Sequence, residues 1–130
     1  MKTVITFGTF DLYHVGHVKI LERARALGDR LIVGVSSDEL NYEKKGHYPI
    51  ISLQDRMYII ASHFAVDKVF VEESLEKKRD YIQQWCADIL VMGDDWEGRF
   101  DHLRDICEVV YLPRTPNVST TEIKAKIRPL

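Results

Sequence analysis

His14 and His17 stand three residues apart at the start of a helical stretch, directly behind Gly8-Thr9-Phe10-Asp11. Positions i and i+3 of a helix share a face, so both imidazoles can meet one ligand. A helix N-terminus adds unpaired amides and a partial positive charge, which suits an anion. Two imidazole donors then supply hydrogen bonds that strengthen as negative charge grows on a phosphorus in flight. At about 1.5–3 kcal/mol for each bond to a charged group, two of them accelerate a transfer step by several powers of ten. Taken alone, the spacing also describes a metal pair or a surface decoration. The preceding strand, the small residue at Gly8 and the following helix favour phosphate. Asp11 reads either as a residue that orients the helix start or as a plain turn or cap residue.

Two further stretches carry groups of the same kind. Asp94 follows Gly93 at the end of an apolar run, where a carboxylate can accept the hydroxyls of a ribose. Arg114 presents a planar fork to phosphate oxygens, and Ser119 and Thr120 offer hydroxyls and an amide nest at a helix start. Ser119 also has the spacing of a helix cap in Ser119-Thr120-Thr121-Glu122. Trp96 fits a place beside a ligand or one in the core or an interface.

These residues need a framework, and the rest of the chain describes one. Thr3–Phe7, Arg30–Ser36, Lys68–Val71, Ile89–Met92 and Val109–Leu112 are rich in Val and Ile and mostly too continuous to have a wet face, as in a buried parallel sheet. Helical patterns fall between them: Val15 to Leu27, Ser52 to about Phe64, and roughly Lys77 to Cys86; a last helix begins at Ser119. The order β-α-β-α-β-α-β-α-β-α predicts an α/β, Rossmann-like doubly wound parallel sheet in a single domain spanning 1–130. In such sheets ligands sit beyond the carboxyl ends of the strands, where strand order reverses. Gly8–His17, Gly93–Trp96 and Arg114–Thr121 each follow a strand. Asn41–Tyr48 is polar and is expected to form a flexible loop able to close over substrate.

Composition narrows the partners. With 18 basic and 20 acidic residues there is no strong field for holding nucleic acid. No run approaches the roughly 18 apolar residues of a membrane span, and the start of the chain has no signal-peptide pattern, so a cytoplasmic location is expected. Cys86 and Cys107 form no CxxC pair and are expected to be buried reduced thiols.

The motifs Gly8-Thr9-Phe10-Asp11 with His14-Val15-Gly16-His17, Met92-Gly93-Asp94-Asp95-Trp96-Glu97-Gly98, and Arg114-Thr115-Pro116-Asn117-Val118-Ser119-Thr120-Thr121 resemble those of the HxGH nucleotidyltransferases. Within these the resemblance is closest to the cytidylyltransferases of teichoic-acid precursor synthesis, and it covers nearly the whole chain. It implies that His14 and His17 stabilise the pentacoordinate α-phosphate of CTP, with Thr9 and Phe10 lining the phosphate site through backbone amides after the small Gly8, and Asp11 orienting the helix start. It places Asp94 on the ribose and Met92 and Trp96 beside the base; with Arg114 on phosphate oxygens and Ser119 and Thr120 at the β- and γ-phosphates, Thr115 of the same stretch is expected to bind substrate. It asks for a loop lysine, Lys44 or Lys45, at the triphosphate, and for Arg56 facing the substrates. A solvated charge cluster is the ordinary alternative for the lysines.

The resemblance further implies Mg²⁺ or another divalent cation with CTP, no metal site of the protein's own, and a homodimer. The acceptor would be glycerol 3-phosphate or a related phosphate-bearing metabolite. One departure bears on it: relatives carry an arginine eight residues after Arg56, where this chain has Phe64 behind His63. Two other readings stand beside this one, an adenylyltransferase of the same superfamily and a non-catalytic nucleotide or metal binder in which His14, His17 and Asp11 hold a transition metal.

Overall fold

Residues 1–128 are described by a computed structural model, in which five strands form one parallel sheet. In chain order the elements are β1 Thr3–Gly8, α1 Val15–Arg25, β2 Arg30–Ser36, α2 Asp38–Lys45, α3 Leu53–Ala61, β3 Lys68–Glu72, α4 Lys78–Gln84, β4 Ile89–Gly93, β5 Glu108–Leu112 and α5 Thr120–Ile127. The strand order β3-β2-β1-β4-β5 winds outward in both directions from β1, so the reversal falls between β1 and β4. That is the doubly wound topology expected from the alternation of strands and helices.

Neighbouring strand residues point to opposite faces, and both faces are apolar. Val4, Leu31, Val33, Val35, Ile89 and Val91 pack with Leu21 and Ala24 of α1 and Ile60 of α3. Ile5, Phe7, Ile32, Leu90, Met92 and Val109 pack on the other side with Ile82 of α4 and with Phe100 and Leu103. Each strand is therefore covered twice, which explains why its sequence runs apolar without alternation.

The crevice follows from register. β1 pairs β2 from Thr3 to Gly8, but its ladder with β4 covers only Val4 to Thr6. Beyond Thr6 the two central strands part at their carboxyl ends, and the chemistry-bearing loops hang over that opening.

Three expectations are corrected. The polar stretch read as a flexible loop is largely helix: α2 is capped by the Ser37 side chain, which accepts from the Leu40 amide at 3.0 Å, and ends in Gly46 at φ 79°. Between β4 and β5 the chain makes two single 3₁₀ turns, Asp94–Trp96 and Asp101–Leu103, where the alternation had implied an α-helix. Neither cysteine is buried: Cys86 is exposed in a turn after α4 at φ 53°, and Cys107 is half-buried.

Candidate active site

The β1–α1 connection is strained and held from several sides. Phe10 and Leu12 lie at φ 55° and 50°, a region that costs a non-glycine residue about 1–3 kcal/mol. The Asp11 carboxylate, 6% exposed, accepts the amides of Leu12, Ile50 and Ile51 at 2.8–3.1 Å. The Asp11 carbonyl accepts the Thr120 hydroxyl of α5 at 2.9 Å. Thr9 donates its hydroxyl to Asn41 of α2 at 2.7 Å, and its carbonyl accepts Arg56 at 2.8 Å. Asp11 is thus more than a turn residue, since it ties the loop to the chain ahead of α3.

The two histidines cap their own helix. His14 is the N-cap of α1, and its Nδ1 accepts the Gly16 amide at 3.0 Å; His17 Nδ1 accepts the His14 amide at 3.2 Å. A ring nitrogen that accepts an amide proton carries its lone pair, so in each neutral imidazole the proton resides on Nε2. The rings stack with centroids 3.8 Å apart, which leaves two Nε2–H donors side by side at a helix N-terminus. Gly16 makes this possible: a Cβ there would lie 2.8–2.9 Å from the His14 ring.

Burial sets the protonation state. It pushes His17 down to about 3, with His14 and Lys45 adding to the effect and Asp11 opposing it; burial also lowers His14. At neutral pH the ligand-free site presents uncharged imidazole donors.

The cleft has a volume of about 420 Å³. Of the expected site residues, Gly8, Thr9, Phe10, Asp11, His14, His17, Lys45, Met92, Trp96, Arg114, Thr115, Ser119 and Thr120 line it. Gly8 does so without leaving its own space free, because a Cβ there would meet the Phe10 ring at 2.9 Å. Trp96 serves both readings: it borders the cleft and packs on Phe100 at 5.5 Å. Ser119 caps α5 by accepting the Glu122 amide at 3.0 Å, so helix capping and cleft lining coexist.

Three expected residues lie outside the cleft lining. Arg56 is fully buried, donating to the carbonyls of Thr9, Ser36 and Ile51 and to Asp38 at 2.6 Å; its fork is spent on the protein's own backbone. Lys44 turns inward, its ammonium donating to Ser36 at 2.8 Å. Ser36 in turn donates to Glu72, which is paired with the buried Lys78 at 2.6 Å. Burial lowers Lys44 to about 8, against the opposing pull of Glu72. Asp94 and Asp95 are both exposed on their 3₁₀ turn, but only Asp95 lines the cleft, close enough to Lys45 to act on its charge. The single turn after Gly93 decides which of the two aspartates borders the cleft.

Asn41, His47, Asp95 and Lys124 line the cleft without having been singled out. Helical spacing could have found Asn41, because Ser37 and Gly46 bracket a helix on which residue 41 falls beside the buried Leu40. Phe64 is 86% exposed and stacked on His63 at 4.8 Å, and neither lines the cleft. The set His14, His17 and Asp11 does not form a metal site: both Nδ1 atoms and the carboxylate already accept amides, and no cluster of three ligating side chains occurs among the described residues.

A doubly wound parallel sheet whose switch point carries paired imidazole donors at a helix N-terminus defines a nucleotidyltransferase of Rossmann-like fold. Residues 5–126 match the cytidylyltransferase-like family model, and the chain belongs to that family. The glycerol-3-phosphate cytidylyltransferase of Bacillus subtilis (strain 168) is 52% identical over 129 residues, 98% of each chain. That of Staphylococcus aureus (strain NCTC 8325 / PS 47) is 46% identical over 98% of this chain and 96% of its own. Among solved structures, a lipopolysaccharide core biosynthesis protein from Thermoplasma volcanium GSS1 shares the fold at TM-score 0.75 and 23% identity, with 88% of this chain and 98% of that one covered.

Proposed function

We propose that this chain transfers CMP from CTP to glycerol 3-phosphate, releasing pyrophosphate and forming CDP-glycerol, an activated precursor for a cell-surface polymer such as teichoic acid. The observation that carries this reading is end-to-end similarity, at 46–52% identity, to relatives named for that reaction. The site supports it with donors suited to an in-line displacement. An oxygen of the acceptor phosphate attacks the α-phosphorus; as that P–O bond forms, the bond to the bridging β-phosphate oxygen breaks and its electron pair leaves with pyrophosphate.

The Nε2–H groups of His14 and His17 bind the equatorial oxygens as their charge grows, which needs no proton transfer and no covalent intermediate. Lys45 offsets triphosphate charge. Asp95, in place of Asp94, accepts the ribose hydroxyls, with Met92 and Trp96 beside the base. Arg114, Thr115, Ser119 and Thr120 hold the β- and γ-phosphates at the start of α5. Mg²⁺ fits this arrangement without a protein cage, because the ion keeps several waters and is held chiefly through substrate phosphates. Bound there it would neutralise charge on the leaving group.

Assembly as a homodimer and a cytoplasmic location belong to the same proposal; among the described residues no helix is long and apolar enough to cross a membrane. Sedimentation of the purified protein tests the dimer.

The activity is tested by pyrophosphate release and product mass with CTP or ATP against glycerol 3-phosphate, ethanolamine phosphate and a sugar phosphate. CTP with glycerol 3-phosphate is expected to give CDP-glycerol and pyrophosphate in equal amounts. Turnover with ATP and none with CTP would make the chain an adenylyltransferase instead.

A further inference from the structure

Past Lys45 the catalytic cleft opens into a second cleft of about 560 Å³, between the chain at 47–50 and α5. His47, Thr121 and Lys124 line both, so the two form one surface. Tyr48, Ile50, Ala125 and Arg128 complete the outer part, and no carboxylate lines it. Among the described residues neither Lys124 nor Arg128 takes part in an ion pair. Thr121, Lys124 and Arg128 follow at i, i+3 and i+7, which sets a hydroxyl, an ammonium and a guanidinium in one row along α5.

The opposite wall is fixed in advance. Asn41 donates to the His47 carbonyl at 2.9 Å, Asp11 accepts the Ile50 and Ile51 amides, and Arg56 donates to the Ile51 carbonyl at 2.9 Å. Asn41 and Arg56 also hold the phosphate loop, through the Thr9 hydroxyl and the Thr9 carbonyl, and Asp11 is itself part of that loop. One set of tethers therefore spaces the catalytic loop and the outer wall together, and a ligand entering the outer cleft orders little. Lys45 lies within electrostatic reach of both His17 and Lys124, so positive charge continues from Lys45, beside the neutral histidines, into the outer cleft. Lys45 feels Asp95 and Asp11 as opposing charges, and cations set together in this way lower their remaining repulsion by taking an anion.

We infer that the outer cleft is a second phosphate subsite, in which Arg128, Lys124 and Thr121 hold the phosphate group of a small phosphate-bearing ligand. The inference rests on the proposed activity only for the source of that ligand, because the acceptor ester and the released pyrophosphate present the same chemistry. An arginine fork suits either one bidentately.

The test titrates glycerol 3-phosphate and inorganic pyrophosphate separately, by calorimetry, into the wild type, Arg128→Gln and Arg128→Lys, and measures KM for CTP alongside. Arg128 is exposed in the turn after α5 and lies outside the catalytic cleft lining, so the fold and basal kcat are expected to persist. At least a fivefold rise in Kd for one anion is expected in Arg128→Gln, part of it restored in Arg128→Lys, with KM for CTP within twofold. A rise for glycerol 3-phosphate assigns the subsite to the acceptor, and a rise for pyrophosphate assigns it to the product. Unchanged Kd for both, or an equal loss for CTP, overturns the inference. Because calorimetry reads binding without turnover, an inactive wild type would count against the proposed activity and leave this result readable.

Discussion

His17 shows how far a residue's chemistry depends on where the fold puts it. Below pH 6.5 the unfolded imidazole takes a proton that the folded one refuses until about pH 3. Between those values the unfolded state binds more protons, so stability declines as pH falls through that window. His17→Asn is therefore expected to flatten the acid limb of Tm against pH, measured by thermal melts; an unchanged slope would contradict the buried, neutral imidazole. Arg56 carries the opposite lesson. Its place among substrate-facing residues came from resemblance, yet its guanidinium is spent on three carbonyls and Asp38. Arg56→Ala leaves buried acceptors unpaired and is expected to cost at least about 3 kcal/mol of stability in denaturant unfolding. The types and spacing of His14 and His17 were legible in the chain because one helix start brings them together. The inward turn of Lys44 on α2, by contrast, depends on Ser36 of β2 and Glu72 of β3, and no local pattern carries that.

At the level of elements, caps matter more than helix propensity. α5 has no buried residue of its own; Ser119 caps it, and the Thr120–Asp11 bond joins it to the site. Ser119→Ala is expected to lower stability by about 1 kcal/mol and to raise KM for CTP severalfold, whereas a mutation confined to capping would move only Tm. The strands were readable nearly to the residue, because burial on both faces demands continuous Val and Ile. α2 was misread because its mostly polar sequence hid a helix marked only by its ends, Ser37 and Gly46. Which aspartate enters the cleft was likewise hidden, since a single 3₁₀ turn after Gly93 decides between Asp94 and Asp95.

For the whole molecule, the site exists because β1 and β4 part beyond Thr6 at the reversal of strand order. The residues proposed to handle phosphate line that opening from the β1–α1 loop, α1, α2, the segment after β5 and α5. One buried group underlies the arrangement: Glu72, 1% exposed, bonds Ser36 and pairs with Lys78, whose ammonium lies 3.8 Å from the Phe7 ring. Glu72→Gln leaves the Lys78 charge without its partner and is expected to cost about 3–5 kcal/mol, read as a drop in the denaturant midpoint. The central claim is that paired neutral imidazoles stabilise an α-phosphorus in transfer from CTP to glycerol 3-phosphate. Its most direct test is the turnover of His17→Ala beside the wild type, with folding of both checked by circular dichroism. The account predicts at least about a hundredfold loss in kcat, the scale for removing one transition-state donor; a folded variant turning over at a near-normal rate would contradict it.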